Sequence, residues 1–376
     1  MKVIYGLAGT GKSTYMASLI RSEKRSFVVL AATHSAVENI YRIVNTMPRN
    51  RFMTIYSYFR IDYVNNIVRG PPPKTIVDVI YIDEFSLINK YLFKSCISKV
   101  PDSEIIMCGD PLQLNAVYDT EEGITFTELK KLDGMSANAI EHYHLGIFGV
   151  SDVQKAERHK LTEIRRSDDY VKKVFTAIFV DNDKSFDGFK FISFNDVVQN
   201  VYSNDYVVLA SKYSKLQEIY DELKCIDKRY KVVIKQMSEK GFRKLYLYEG
   251  MELMITETNE YYYNGQHVYF VDVLENGKSI YVKTLEGEVM RITRVDDVLP
   301  VVPVNLLSIH KSQGMTISKV IIYVEDLFDV SMLYTAITRA KEDVMFYVKG
   351  DKKVDVLFEN AHVDTFNELK NKFYSV

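Results

Sequence analysis

The tightest constraint on this chain is a nine-residue loop, Gly6-Leu7-Ala8-Gly9-Thr10-Gly11-Lys12-Ser13-Thr14, set directly behind the apolar run Met1–Tyr5. It fits G-x-x-x-x-G-K-[ST], a phosphate-binding loop. Such a loop must turn its backbone N–H groups inward, and glycines permit both the turn and the close approach of phosphate. A helix starting near Lys12 adds the positive end of its dipole, and Tyr15, Met16, Leu19 and Ile20 supply its apolar positions. Strand, loop and helix in that order point to an α/β fold with a parallel sheet. Gly6, Gly9, Thr10, Gly11, Lys12, Ser13 and Thr14 are the candidate nucleotide-binding residues. Lys12 is expected to reach the β- and γ-phosphates and the Ser13 hydroxyl to ligate Mg2+. The loop implies a nucleoside triphosphate but not what it is used for.

A chain of 376 residues has room for two or three domains. Its net charge of −2 excludes chain-wide attraction to nucleic acid, so any such site must be a local groove. Cys96, Cys108 and Cys225 form no CxxC pair and no zinc spacing, which predicts reduced thiols and an intracellular setting. No apolar run reaches membrane-spanning length, so no membrane association is expected, and the N-terminus reads as the phosphate loop rather than a signal peptide. The 27 tyrosines are read by default as packing residues.

Behind the loop helix, Ser26–Ala32 is a continuous apolar run suited to a buried parallel strand. It ends in Thr33-His34-Ser35-Ala36, a helix start at the strand end where ligands bind in such sheets. His34 could face a ligand, although a lone histidine there is more often a cap or surface residue. Met53–Phe59 follows, then a polar patch over 62–74 that holds Pro71-Pro72-Pro73 and reads as a short excursion from the sheet. Val77–Glu84 is an apolar strand ending in adjacent carboxylates. Such a strand is expected beside the loop strand, with Asp83 holding Mg2+ and Glu84 orienting or deprotonating the attacking water. Glu104–Leu114 repeats the pattern, a buried strand followed by Gly109-Asp110-Pro111 and then Gln113, a neutral amide suited to contact the γ-phosphate or that water. Glu141-His142-Tyr143-His144 looks superficially metal-like and reads as solvated linker.

Leu161–Ser167 opens a second half, with a buried strand over 205–211 and an amphipathic helix over 213–224. Short alternating strands follow at 267–273, 279–283 and 288–295, separated by hairpin turns at 275–278 and 285–287. They predict a small β-barrel inserted into an α/β domain. Parallel-type strands return at 304–309, 319–324 and 343–348, with a helix over 333–341 between the last two and one or two packing helices after 351.

Together these blocks are GLAGTGKST (6–14), AATHSA (31–36), TIYS (54–57), IDEFS (82–86), GDPLQL (109–114), LTEIRRS (161–167), NGQ (264–266), SIHKSQGMT (308–316) and YTAITRA (334–340). In this order, over nearly the whole chain, they resemble superfamily 1 helicases, most closely the Dda-type phage enzymes and their RecD-like relatives. The resemblance implies two RecA-like domains, 1–157 and 158–235 with 304–376, and an SH3-like barrel at 236–303; the excursion, about 60–75, would be a short strand-separating element. It implies an ATP-dependent, 5′→3′ translocase on single-stranded DNA or RNA at duplex junctions, acting as a monomer, with replication or single-strand-binding proteins as further partners. ATP and Mg2+ would be held by Lys12, Ser13, Asp83 and Glu84, and Gln113 would sense the γ-phosphate. Arg166 and Arg339 would neutralise transition-state charge. Gln313 and Gly314 would couple nucleotide to strand, while Thr33, His34, Thr54, Tyr56, His310, Lys311 and Thr316 would line the nucleic-acid track.

There are departures from the pattern. Tyr56 stands where relatives usually carry histidine, and the excursion is short for strand separation. Only five residues precede Gly6, with no counterpart of the relatives' adenine-reading glutamine, which predicts loose base selectivity. Two alternatives stay open: a viral-type RNA helicase, and an ATP-driven strand-binding clamp or loader with little unwinding.

Overall fold

The computed structural model describes residues 1–62, 67–68, 76–114, 146–163, 167–203, 205–236, 241–295, 297–325, 327 and 330–374. The chain forms two compact units, one built from residues up to Ser167 plus those from Thr365 onward, the other from Asp168–Asp364.

The first unit is organised by a six-stranded sheet. Its strands are β1 (Lys2–Gly6), β2 (Phe27–Ala31), β3 (Phe52–Thr54), β6 (Val79–Asp83), β7 (Glu104–Gly109) and β8 (Glu157–Leu161), in the order β3-β2-β6-β7-β1-β8, every pair parallel. Between β3 and β6, β4 (Ile61–Asp62) and β5 (Ile67–Val68) form a small antiparallel hairpin inside the expected excursion. The strands form because β-branched and aromatic runs can be buried on both faces; all five residues of β2 and of β6 are buried. Helices α1 (Lys12–Ser22) and α2 (His34–Val44) bury Met16, Ala17, Ile20, Ala36, Val37, Ile40 and Val44 against Ile4, Val29, Tyr81 and Ile106. Complete burial of a side chain such as Ile20 contributes about 2 kcal/mol. Because every strand runs the same way, all the loops after the strands open on one edge of the sheet.

Two expectations are corrected here. The strand ending in Asp83 does not lie beside the loop strand, since β7 sits between β6 and β1. The first sheet also continues beyond residue 157, because β8 pairs with β1 from Lys2↔Glu157 to Gly6↔Leu161. The polar sequence of β8, Glu157-Arg158-His159-Lys160-Leu161, suits an exposed edge strand held by backbone pairing.

In the second unit, β9 (Phe191–Ile192), β10 (Val207–Ala210), β18 (Leu306–Ser308), β19 (Ile317–Tyr323) and β20 (Ala340–Tyr347) form a second parallel sheet, ordered β18-β10-β19-β20-β9. The helix expected over 213–224 spans Tyr213–Ile226. The one expected over 333–341 covers Val330–Ile337 instead, and Arg339 lies just beyond it, before β20. Two helices, Lys353–Ala361 and Val363–Tyr374, follow residue 351, and the second belongs from Thr365 onward to the first unit, not to the second as expected for 304–376. Between β10 and β18 the chain makes an antiparallel ribbon, β11 (Val232–Lys235) with β12 (Lys244–Leu247). A five-stranded antiparallel sheet follows: β13 (Glu252–Ile255), β14 (His267–Leu274), β15 (Ser279–Thr284), β16 (Val289–Thr293) and β17 (Val301–Pro303), ordered β16-β15-β14-β13-β17. Among the described residues no helix is long and apolar enough to cross a membrane.

At the sheet edge opposite the phosphate loop, Arg25 donates to Glu23 and Glu104 at 2.8 Å, and the Tyr81 hydroxyl donates to Glu23 at 3.1 Å. The Arg25 side chain above all holds the Glu23 carboxyl down at about 2, below its ordinary 4.5. A depressed acid stabilises the fold above its unfolded pKa and loses that contribution as pH falls through the folded value. In urea unfolding, Glu23→Gln should be less stable than the parent at neutral pH, and the gap should close between pH 4.5 and 2.

Candidate nucleotide-hydrolysis site

The phosphate loop owes its shape to its own backbone. Gly9 and Gly11 have φ of 81° and 80°, in the left-handed region that other residues enter only with strain. Gly6 is required for closeness, because a Cβ there would meet the Leu161 carbonyl at 2.5 Å. Thr10 closes the turn by donating its hydroxyl to the Leu7 carbonyl at 2.8 Å. The N-terminus of α1 thereby faces the space where phosphate belongs.

Lys12 is 9% exposed. Its ammonium donates to the Gly6 and Leu7 carbonyls at 2.9 and 3.0 Å and lies 3.9 Å from the fully buried Asp110 carboxylate. Asp110 also accepts from the Leu112 N–H at 3.0 Å, fixing the turn that presents Gln113. Asp110 is not among the expected site residues; the available signal was an acid directly following the apolar run Ile105–Gly109.

Asp83 ends β6, two strands from β1, yet its Oδ1 accepts from the Ser13 hydroxyl at 3.3 Å and from the Glu84 N–H at 3.0 Å. Burial, and then the neighbouring Glu84 charge, push the Asp83 carboxyl up to about 7 against the opposing Ser13 hydrogen bond. Glu84 takes φ of 49°, an uncommon conformation for a non-glycine residue and one that clusters at functional sites. Asp83 Oδ2 and Glu84 Oε2 are both buried without a hydrogen-bond partner. Two such oxygens beside a serine hydroxyl form a hard-oxygen corner, which fits Mg2+, a cation that keeps several waters and uses few protein ligands. Among the described residues there is no cluster of three or more metal-ligating His, Cys, Asp or Glu side chains.

Lys12, Ser13, Glu84 and Gln113 line one cavity of about 650 Å³, which takes in residues 8–15 and the stretch Lys160–Glu163. The structure therefore brings together Lys12, Ser13, Glu84 and Gln113, with Asp83 bonded to Ser13. The contribution of residues 160–163 follows from the pairing of β8 with β1, which their polar sequence concealed.

The other expected residues divide by location. Thr33 and Thr54 stand at the ends of the paired strands β2 and β3, where their hydroxyls cap helices by accepting from Ala36 N at 3.2 Å and Ser57 N at 3.1 Å. His34 begins the first of those helices and Tyr56 is the second residue of the other, Ile55–Phe59. Burial chiefly lowers the His34 pKa. In the second unit, His310, Lys311, Gln313, Gly314 and Thr316 fall in the loop after β18. Lys311 donates to the Thr256 carbonyl at 3.5 Å, and burial depresses its ammonium pKa. Arg339, 1% exposed, donates to the carbonyls of Thr335 and Met315 at 3.3 Å each, tying the segment after the 330–337 helix to this loop. Arg166 and residues 141–144 lie outside the described residues.

Residues 1–144 match the AAA domain family, and residues 303–347 match the UvrD-like helicase C-terminal domain. The chain is 21% identical to the ATP-dependent DNA helicase Pif1 of Campylobacter jejuni, over 98% of this chain and 93% of that protein. Its fold is similar to that of a Pif1 helicase from Bacteroides, solved with ADP-AlF3 and ssDNA, at a TM-score of 0.61 and 19% identity over 99% and 93% of the two chains. It is also similar to the Pif1 helicase from Candida albicans, at a TM-score of 0.58 and 18% identity over 96% and 95%. The two parallel sheets are thus RecA-like, and the resemblance to superfamily 1 runs toward Pif1-like proteins.

The geometry predicts that Lys12→Ala abolishes nucleotide hydrolysis, measured as phosphate release. Glu84→Gln should keep nucleotide binding while slowing hydrolysis by at least about a hundredfold, as expected for loss of a general base.

Proposed function

We propose that this chain is an ATP-dependent DNA helicase that hydrolyses ATP in its first unit and moves 5′→3′ along single-stranded DNA from a duplex junction. The observation that carries this reading is the hydrogen bond from Ser13 to Asp83, which joins phosphate loop and carboxylate strand in a hydrolytic site rather than a mere anion-binding turn. It is supported by the sequence match to a Pif1 helicase along nearly the full length of both chains.

In this reading Lys12 binds the β- and γ-phosphates, Glu84 orients and deprotonates water, and Gln113 contacts the γ-phosphate. Ser13 and Asp83 would hold Mg2+, which bridges phosphate oxygens and neutralises their charge. Arg166 and Arg339 serve as transition-state cations. Thr33, His34, Thr54, Tyr56, His310, Lys311 and Thr316 contact the strand, with Thr33 and Thr54 offering capped helix N-termini as much as hydroxyls to its phosphates. Gln313 and Gly314 relay nucleotide state to that track.

The narrower affinity to Dda-type enzymes rests on the blocks LTE-x-x-RS, HK-x-QGM and Y-x-x-x-TR. With it goes the proposal that residues 236–303 form an SH3-like element, supported by the antiparallel sheet β16-β15-β14-β13-β17. The protein would act inside the cell as a monomer, beside replication or single-strand-binding proteins.

Duplexes with a 5′ or a 3′ single-stranded tail should separate only in the 5′-tailed form, in the presence of ATP. Strand binding without separation of either would favour a clamp, and equal unwinding of matched RNA would favour an RNA enzyme. Arg339→Ala should lower kcat on the order of a thousandfold with little change in ATP affinity. Equal losses in both would assign Arg339 to holding the loop after β18 instead.

A further inference from the structure

Next to the phosphate cavity, and reaching from Tyr15 to the opposite sheet edge with Arg25 and Glu104, lies a second, half-open one of about 270 Å³, lined by α1, the starts of β1 and β7, Tyr81 and β8. Tyr15 lines both cavities, so they adjoin along one side of α1. Tyr15 stacks on His159 of β8, with ring centroids 4.5 Å apart and planes 9° from parallel. Tyr15 is on the first turn of α1, so a nucleotide whose phosphates sit at that N-terminus and whose ribose and base run along the helix passes it. Two aromatic rings stacked next to that path, one of them exposed, offer a face for a third ring.

We propose that Tyr15 and His159 form the platform on which the base of the bound nucleotide stacks. This rests on the nucleotide-site reading above and adds to it the means of holding the base. The charges around the second cavity are already engaged with one another. Arg25 binds Glu23 and Glu104, and Lys2 lies 3.4 Å from Glu104 and 3.9 Å from Glu157. With those polar groups paired, recognition falls to stacking, which accepts every base because every base has a π-face. The consequence is affinity for the base with little discrimination among bases.

The test compares equilibrium binding of ATP, GTP and inorganic tripolyphosphate, each with Mg2+, to the full chain and to its His159→Ala and His159→Phe variants. Tripolyphosphate carries the phosphates without a base. His159→Ala should weaken ATP and GTP alike by roughly tenfold and leave tripolyphosphate unchanged, and His159→Phe should restore the parent affinities. Unchanged ATP affinity in His159→Ala, or equal losses for ATP and tripolyphosphate, overturns the proposal. A parent protein that binds tripolyphosphate but gains nothing from the base also overturns it while leaving the phosphate site standing. A parent that binds none of the three overturns the phosphate-site reading itself, and the platform with it.

Discussion

A buried aspartate and the half-buried glutamate that follows it, set beside a phosphate loop, are the interaction on which the rest of this structure depends. Asp83 and Glu84 would be costly in an apolar strand end without compensation, and each retains a buried oxygen with no partner. The parallel sheet accepts that cost because its strands place Ser13, Lys12 and Gln113 around the same edge. Burial pushes the Asp83 carboxyl up to about 7, so a cation at its unpartnered oxygen would favour the charged form.

The first sheet explains how residues so far apart in sequence meet. Parallel strands need crossover helices, and every crossover returns the chain to the same end, so all the strand ends open on one edge. The placement of β7 between β1 and β6 sets Asp110 against Lys12 and leaves Asp83 within reach of Ser13. The second parallel sheet repeats the arrangement with the loop after β18, where Arg339 fastens the backbone at Met315.

Much of this was legible in the residues. The phosphate loop, the acid pair after an apolar strand and the hairpin turns near 277 and 287 each have a local physical cause, and each was found in place. What could not be read is non-local. Strand order depends on which buried surfaces match, so the expected adjacency of β6 and β1 gave way to an intervening strand. β8 is polar because it is an edge strand held by backbone hydrogen bonds, and no apolar pattern announced it or its His159 and Lys160–Glu163. The helix before Arg339 ends early because β20 begins at Ala340.

The central claim is that ATP hydrolysis at this site is coupled to single-stranded DNA. Steady-state phosphate release, measured with ATP and Mg2+ in the absence and presence of saturating single-stranded DNA, tests it most directly. The account predicts slow turnover by the protein alone and strong stimulation by the strand, both lost in Lys12→Ala. Turnover indifferent to the strand, or surviving in Lys12→Ala, would contradict it.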